Sequence, residues 1–188
     1  FDVIHGLRTI LPVPIAMAAS WDPATIEQAQ AVAARESRAV GIHWAFAPMV
    51  DIARDQRWGR VVEGAGEDPY LGSLLAAARV RGFQGSDLSK PDTMLATLKH
   101  FAAYGAVGAG MDYNSADIPE TTLRQVHLPP FKAGVDAGVM SVMSSFNDIA
   151  GVPSTANHHL LTDILRREWG FQGLVVSDWT SEQELIAH

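Results

Sequence analysis

Cysteine is absent from the chain, which removes disulfides and thiolate metal sites from consideration and leaves the compartment open. Basic residues are scarce: 14 Lys plus Arg against 21 Asp plus Glu give a formal net charge of -7, and no basic stripe suits a nucleic-acid surface. No apolar run reaches the ~18 residues that a membrane-spanning helix needs. Internal repeats and low-complexity tracts are missing, and no strand candidate leads into a glycine fingerprint of the dinucleotide type. These absences take nucleic acid and a membrane off the list of expected partners. What is there, 188 residues of which 47% are hydrophobic, can bury a sizeable core and would ordinarily form one globular domain.

Short apolar runs alternate with helical patterns. Strand candidates fall at 14–19, 42–47, 94–98, 139–144 and 174–176. The last, Leu174, Val175 and Val176 after Gly170 and Gly173, reads as a fully buried parallel strand that stops at Asp178. Asp22 before Pro23, and Asp68 before Pro69, are cap-plus-proline starts for helices reaching Gly41 and Phe83. Pro119 opens another helix, running to Gly138 with a break at Pro129-Pro130, and Asn157 caps one that carries Leu161, Ile164, Leu165 and Trp169 on one face. Strand, loop and helix repeated about five times with no hairpin signal predicts an α/β fold on a parallel sheet. A closed (β/α)8 TIM-type barrel takes ~250 residues, so the length predicts a partial one, with a doubly wound sheet as the alternative.

Chemistry in such folds gathers where strands end. Four positions qualify: the Asp51/Arg54 region, Lys99-His100, the turn Ser145-Phe146-Asn147, and Asp178. Two cations beside a carboxylate keep it charged, as a nucleophile must be. Alone, Asp178 reads better as the cap of a helix starting at Ser181 than as a reactive group. The segment 54–60 packs Arg54, Arg57, Arg60 and Trp58 into one loop. Guanidinium groups there can donate to vicinal hydroxyls and the indole can cover a sugar face, whereas Arg57 and Arg60 read better as surface partners of Glu63, Glu67 and Asp68. Asp2 and Arg8, six residues apart, can share a loop and a polar ligand.

Taken together, FDVIHGLR, APMVDIARDQRWGR, EGAGEDPYL, LKHFAAYG, DYN, VMSSFN and GLVVSDW resemble the N-terminal domain of glycoside hydrolase family 3, nearest its periplasmic β-glucosidase branch, over essentially the whole chain. The resemblance implies a retaining, exo-acting β-glycosidase that hydrolyses terminal non-reducing β-D-glucosyl residues of a small glucoside or oligosaccharide through a covalent glycosyl-Asp intermediate. It implies no cofactor and no metal. Asp178 matches the catalytic nucleophile, Asp2, Arg8, Arg54, Lys99 and His100 match positions that bind sugar hydroxyls, and Trp179 matches an aromatic on the leaving-group side. Phe146 stands where many members have Tyr, so a hydroxyl contact there is lost. Lys99-His100-Phe101 continues as Ala102-Ala103-Tyr104, unlike the Pro-Gly-His-Gly of the β-N-acetylglucosaminidase branch. Residues 1–188 are then expected to be an incomplete N-terminal catalytic barrel domain. The first strand region, the end of the barrel and a following C-terminal domain of the same full-length chain, which bears the acid/base Glu, are expected to lie outside it. A periplasmic or extracellular location and a part in polysaccharide degradation are implied in the same way.

No carboxyl within the sequence suits the acid/base role: Glu36 and Glu168 fall in helices, and Glu63 and Glu67 sit among opposite charges. Three other readings remain: a Schiff-base aldolase through Lys99, a metal hydrolase through His43, Asp51, His100 and Asp178, and a non-catalytic carbohydrate-binding remnant.

Overall fold

Proline sets several of the boundaries. In the computed structural model, which describes residues 1–187, the run at 14–19 is a short helix, α1 (Pro14–Ala18), not a strand. Pro14 lacks the N–H that a sheet ladder needs but fits a helix's first turn. Asp22 caps α2 (Pro23–Ala39) by accepting the Thr25 N–H at 3.1 Å, and Asp68 caps α3 (Pro69–Gln84) by accepting the Tyr70 N–H at 2.8 Å. The two helices pack closely at Gly82, where a Cβ would stand 2.4 Å from the Glu27 carbonyl oxygen. After β1 (Thr97–Phe101) comes α4 (Glu120–Thr122), which widens into a π turn over Leu123–His127 before α5 (Pro129–Asp136) starts at the expected proline break.

The strand β2 (Ser141–Ser144) is followed by a feature that the sequence reading left out, a small antiparallel hairpin of β3 (Asp148–Ile149) and β4 (Val152–Pro153). A π-helix, His159–Glu168, then leads to β5 (Leu174–Val176) and α6 (Ser181–Glu184). Asn157 caps that π-helix, its side chain accepting the Leu160 N–H at 3.1 Å.

Strands β1, β2 and β5 form a parallel sheet in that order, with Thr97 beside Ser141 and Val142 beside Val175. On the other side of β1, residues 43–50 run parallel to it without regular strand geometry. Leu95 N–H donates to His43, Ala45 N–H to Leu95, Thr97 N–H to Ala47 and Val50 N–H to Lys99, all at 2.8–2.9 Å. Phe46 N–H in turn donates to the Phe1 carbonyl at 3.1 Å, so the first residue abuts the same wall. The result is an α/β fold with four parallel segments in chain order, one wall of a (β/α)8-type barrel, built from four of the five strand candidates. Ala45, Ala47, Ala96, Leu98 and Val142 on the sheet meet Ala33, Val80, Phe83, Phe131, Leu160 and Ile164 from the helices in one buried core. The expectation that 174–176 is fully buried is corrected: β5 is the sheet edge among the described residues, Val175 and Val176 are half-buried, and Leu174 is exposed.

Candidate active site

Adjacent residues on a regular strand point to opposite faces, yet Lys99 and His100 both serve one site. The pairing of β1 with β2 slips between Leu98 and Phe101, and that irregularity breaks the alternation where the strand opens into its loop. The buried Lys99 ammonium lies 3.2 Å from Asp2 Oδ1 and 3.9 Å from Glu63 Oε1. His100 is 1% exposed. Its Nδ1 stands 2.9 Å from Asp51 Oδ2, which also accepts the His100 backbone N–H at 2.9 Å. On its far side, Nε2 stands 3.5 Å from Asp178 Oδ2.

Asp178 follows β5 and does not cap α6. The residue at the cap position is Thr180, with left-handed backbone, and the Asp178 carboxylate makes no bond to that helix. Its Oδ1 accepts the Trp179 N–H at 2.7 Å, while Oδ2 is buried without a hydrogen-bond partner among the described residues. Asp178, Asp2, Lys99, Arg60 and Trp179 line one cavity of about 400 Å³. Phe1, Phe46 and Met143 supply its apolar lining. One oxygen is thus held and the other free, beside cations on a rigid frame, which is how a carboxylate is prepared to attack an electrophilic carbon.

Arg60 is the residue that the sequence reading assigned to a surface pair. It does pair with Glu63, Nε to Oε2 at 2.5 Å and Nη2 to Oε1 at 3.1 Å, but it lines the cavity and lies 5.6 Å from the centre of the buried Tyr104 ring. Burial works against its charge, yet the Glu63 hydrogen bonds and the charges of Glu63 and Asp51 outweigh it and hold the guanidinium above its ordinary value. Burial pushes the Tyr104 phenol well above its usual range. The signal for Arg60 was Glu63 three residues on, across the turn Val61–Glu63, which swings the pair inward.

Arg54 and Arg8 are not brought to the cavity. Arg54 is exposed, and its charge acts on the buried His127. Arg8 is exposed because the chain doubles back at Gly6, where φ is +97°, and the N–H groups of Arg8 and Thr9 are tied to Glu36 of α2 at 3.0 and 2.8 Å. Trp58 does not offer a face to a ligand either: it is 1% exposed, and its Nε1 donates to Asp112 at 2.9 Å. Phe146 sits beside the site in an aromatic cluster, 4.4 Å from Tyr113 and 6.0 Å from Tyr104 between ring centres. Arg57 is the surface partner expected, but of Asp55.

His43 lies outside the constellation. It is exposed and lines a different cavity with Leu95 and Leu174, at the opening end of the strands, so the four-residue metal set does not converge. Lys99 is engaged by two carboxylates and is not presented as a free amine.

The chain is 43% identical over 188 residues to a periplasmic β-glucosidase of Salmonella typhimurium, covering all of this chain and 25% of that protein. It is 34% identical to a lysosomal β-glucosidase of Dictyostelium discoideum, with 98% of this chain and 24% of that one covered. It superposes on a Listeria innocua β-glucosidase in complex with glucose with a TM-score of 0.95 at 44% identity, over the whole of this chain and 26% of that one. A variant of the same enzyme in complex with laminaribiose gives 0.97, also at 44% identity and with the same coverage. The chain therefore spans about a quarter of the length of these relatives. The model of the glycosyl hydrolase family 3 N-terminal domain matches it from residue 1 to residue 188, and the chain belongs to that family.

Proposed function

We propose that the protein to which these residues belong is a retaining, exo-acting β-glycosidase of the β-glucosidase type, and that Asp178 is its nucleophile. The observation that carries this reading is the unpartnered Oδ2 of Asp178, beside a cavity that Asp2, Lys99 and Arg60 also line. In the first step an oxygen of Asp178 bonds to the anomeric carbon as the bond to the aglycone oxygen breaks. That oxygen leaves with the electron pair and takes a proton from a second carboxyl ~5–5.5 Å from the first; water activated by the same group then cleaves the glycosyl ester.

The second carboxyl is assigned to the rest of the full-length protein, in a domain following residue 188. Those near the cavity are committed elsewhere: Asp2 and Glu63 face cations, and a hydrogen bond from Ser177 holds Glu182 below the usual range. Residues 1–188 are then an incomplete catalytic barrel domain. Asp2, Lys99 and Arg60 bind hydroxyls of the non-reducing sugar, in place of the expected pair Arg8 and Arg54, and His100 acts at their floor. The exposed Trp179 flanks the aglycone. A glucoside or oligosaccharide is the substrate, no cofactor takes part, and the name of the Salmonella typhimurium relative supports a periplasmic or extracellular setting.

A 2-deoxy-2-fluoro β-glucoside with a good leaving group tests the proposal in the full-length protein. Stoichiometric attachment to Asp178, lost in Asp178→Asn with the fold retained, is expected; attachment elsewhere, or none with unimpaired turnover, refutes it. Borohydride trapping of a ketone on Lys99 would favour the aldolase instead. Glucose binding without turnover or attachment would favour a binding remnant.

A further inference from the structure

Asp51 is a buried carboxylate with an unusual allegiance. Its side chain has no solvent exposure, and both its hydrogen bonds come from one residue, the backbone N–H and the ring Nδ1 of His100, both to Oδ2 at 2.9 Å. Oδ1 has no partner among the described residues. A buried carboxylate kept only for structure ordinarily spreads its lone pairs over several donors, because each unsatisfied one is costly. Here everything is invested in residue 100.

An ionised Asp can only accept, so Nδ1 must be the donor in this contact and Nε2 becomes the atom that the ring presents on its other side. That atom lies 3.5 Å from Asp178 Oδ2, the oxygen with no other partner. The Tyr104 ring, edge-on to the imidazole at 5.2 Å between centres, blocks rotation from the side. His100 at 1% exposure meets the nucleophile's carboxylate from beneath the cavity.

We infer that Asp51 is a positioning residue for the reaction: by holding the His100 ring through its backbone N–H and Nδ1, it sets the imidazole as the wall beside Oδ2 of Asp178 and so limits the orientations that carboxylate can take in the cavity. The inference rests on the glycosidase reading of Asp178. It also separates two parts of the site. Asp2, Lys99 and Arg60 act on sugar binding, whereas Asp51 acts through His100 on the attacking atom and should affect kcat more than KM.

The test uses the full-length protein and an aryl β-glucoside with a good leaving group. For metal-bound histidines, losing the outer partner that fixes the ring typically costs about 10- to 100-fold, and the same scale is expected for a ring held in this way. Asp51→Asn keeps the volume, and its Oδ1 can still accept both N–H groups, so it serves as the conservative rescue, whereas Asp51→Ala removes the acceptor and is expected to lower kcat roughly 10- to 100-fold with KM within about threefold. In a His100→Ala background the same substitution should cost less than about twofold, because its route to Asp178 is gone. Should Asp51→Ala fold poorly, His100→Asn leaves Asp51 a donor while removing Nε2, and the kcat loss is expected there too.

Unchanged kcat in Asp51→Ala or His100→Asn overturns the inference, as does a loss of equal size with and without His100, which is the mark of a structural role. A wild-type protein that turns over no β-glycoside overturns the glycosidase reading and this inference with it. Wild-type turnover with an indifferent Asp51 overturns the inference alone.

Discussion

Replacing Arg60 by alanine probes the cavity directly, and Arg54, six residues earlier, is its control. Nε and Nη2 of Arg60 are engaged by Glu63, which leaves Nη1 with both its N–H groups free of protein acceptors among the described residues. A charge-assisted hydrogen bond from that nitrogen to a sugar hydroxyl contributes about 1.5–3 kcal/mol. That corresponds to a loss of roughly 10- to 150-fold in kcat/KM, most of it expected in KM. Truncation also leaves the Glu63 carboxylate, about a quarter exposed, with only Lys99 at 3.9 Å, at a stability cost of about 1–2 kcal/mol after solvent screening. Arg54→Ala removes an exposed side chain that does not line the cavity, and is expected to stay within about 0.5 kcal/mol of wild type with kcat/KM within about twofold. Arg60→Lys should not restore binding, since one ammonium cannot both clasp Glu63 through two bonds and reach the ligand. Steady-state hydrolysis of an aryl β-glucoside by the full-length protein, with thermal unfolding of each variant, reads both quantities. Activity lost in Arg54→Ala and kept in Arg60→Ala would refute the assignment.

Further predictions concern stability and the cavity rim. Burial, partly offset by Asp51 and reinforced by Arg54, pushes the His127 imidazole down to about 4. An unfolded His titrates near 6.5, so from pH 6.5 down to about 4 the unfolded chain takes up a proton that the native state refuses, and stability falls by about 3 kcal/mol in total. In urea titrations across that window, His127→Gln should lose correspondingly less, and parallel losses would refute this. A Cβ at Gly82 would meet the Glu27 carbonyl oxygen at 2.4 Å and Gln30 Cβ at 2.6 Å, so Gly82→Ala must part α2 from α3, at about 1–3 kcal/mol, and an undiminished Tm would show that the helices do not approach so closely. Trp179 is 83% exposed, so Trp179→Ala should leave Tm unchanged while raising KM for glucosides with an aromatic aglycone; an equal KM with the indole gone would remove it from the leaving-group side.

Helix starts were the most legible part of the fold, because an Asp-Pro pair carries its own mechanism and both pairs cap helices. Short apolar runs were less so, since six residues cannot distinguish a strand from a helical turn; residues 14–19 went to the helix once Pro14 withheld its N–H. The β3–β4 hairpin was hidden by its turn, where Ala150 at φ +50° precedes Gly151 at φ +83°, an alanine in a position that ordinarily announces itself as Asn, Asp or Gly. In the site, Lys99 and Asp178 could be found because they stand near ends of parallel strands, where side chains are aimed by the sheet, whereas Asp2 was visible only as a loop carboxylate. The arginines could not. Three of them lie in seven residues of irregular chain, and which one turns inward depends on the burial of Trp58 and on the short turn Val61–Glu63, neither of which has a periodic signature.

The pairing of charges around the cavity bears on what it can accept. Lys99 faces Asp2 and Glu63, Arg60 is clasped by Glu63, and His100 stands between Asp51 and Asp178. Lys99 and Arg60, the cations lining the cavity, therefore already have a carboxylate against them. A phosphorylated or carboxylated ligand would meet Asp178 without an uncommitted cation to offset the repulsion, and would have to displace buried ion pairs to obtain one. A neutral sugar asks less: its hydroxyls can accept from the unused N–H groups of Arg60 and Lys99 and donate to Asp2 while the pairs stay intact. The same argument weighs against an aldolase acting on sugar phosphates, because Lys99 would have to shed its partners to become a nucleophilic amine just where the incoming phosphate found none of its own. Neutral polyols thus suit the balance of charge for the same reason that Asp178 keeps one oxygen unpaired: the cations are spent on holding the frame, and the free carboxylate oxygen remains for the proposed attack on the anomeric carbon.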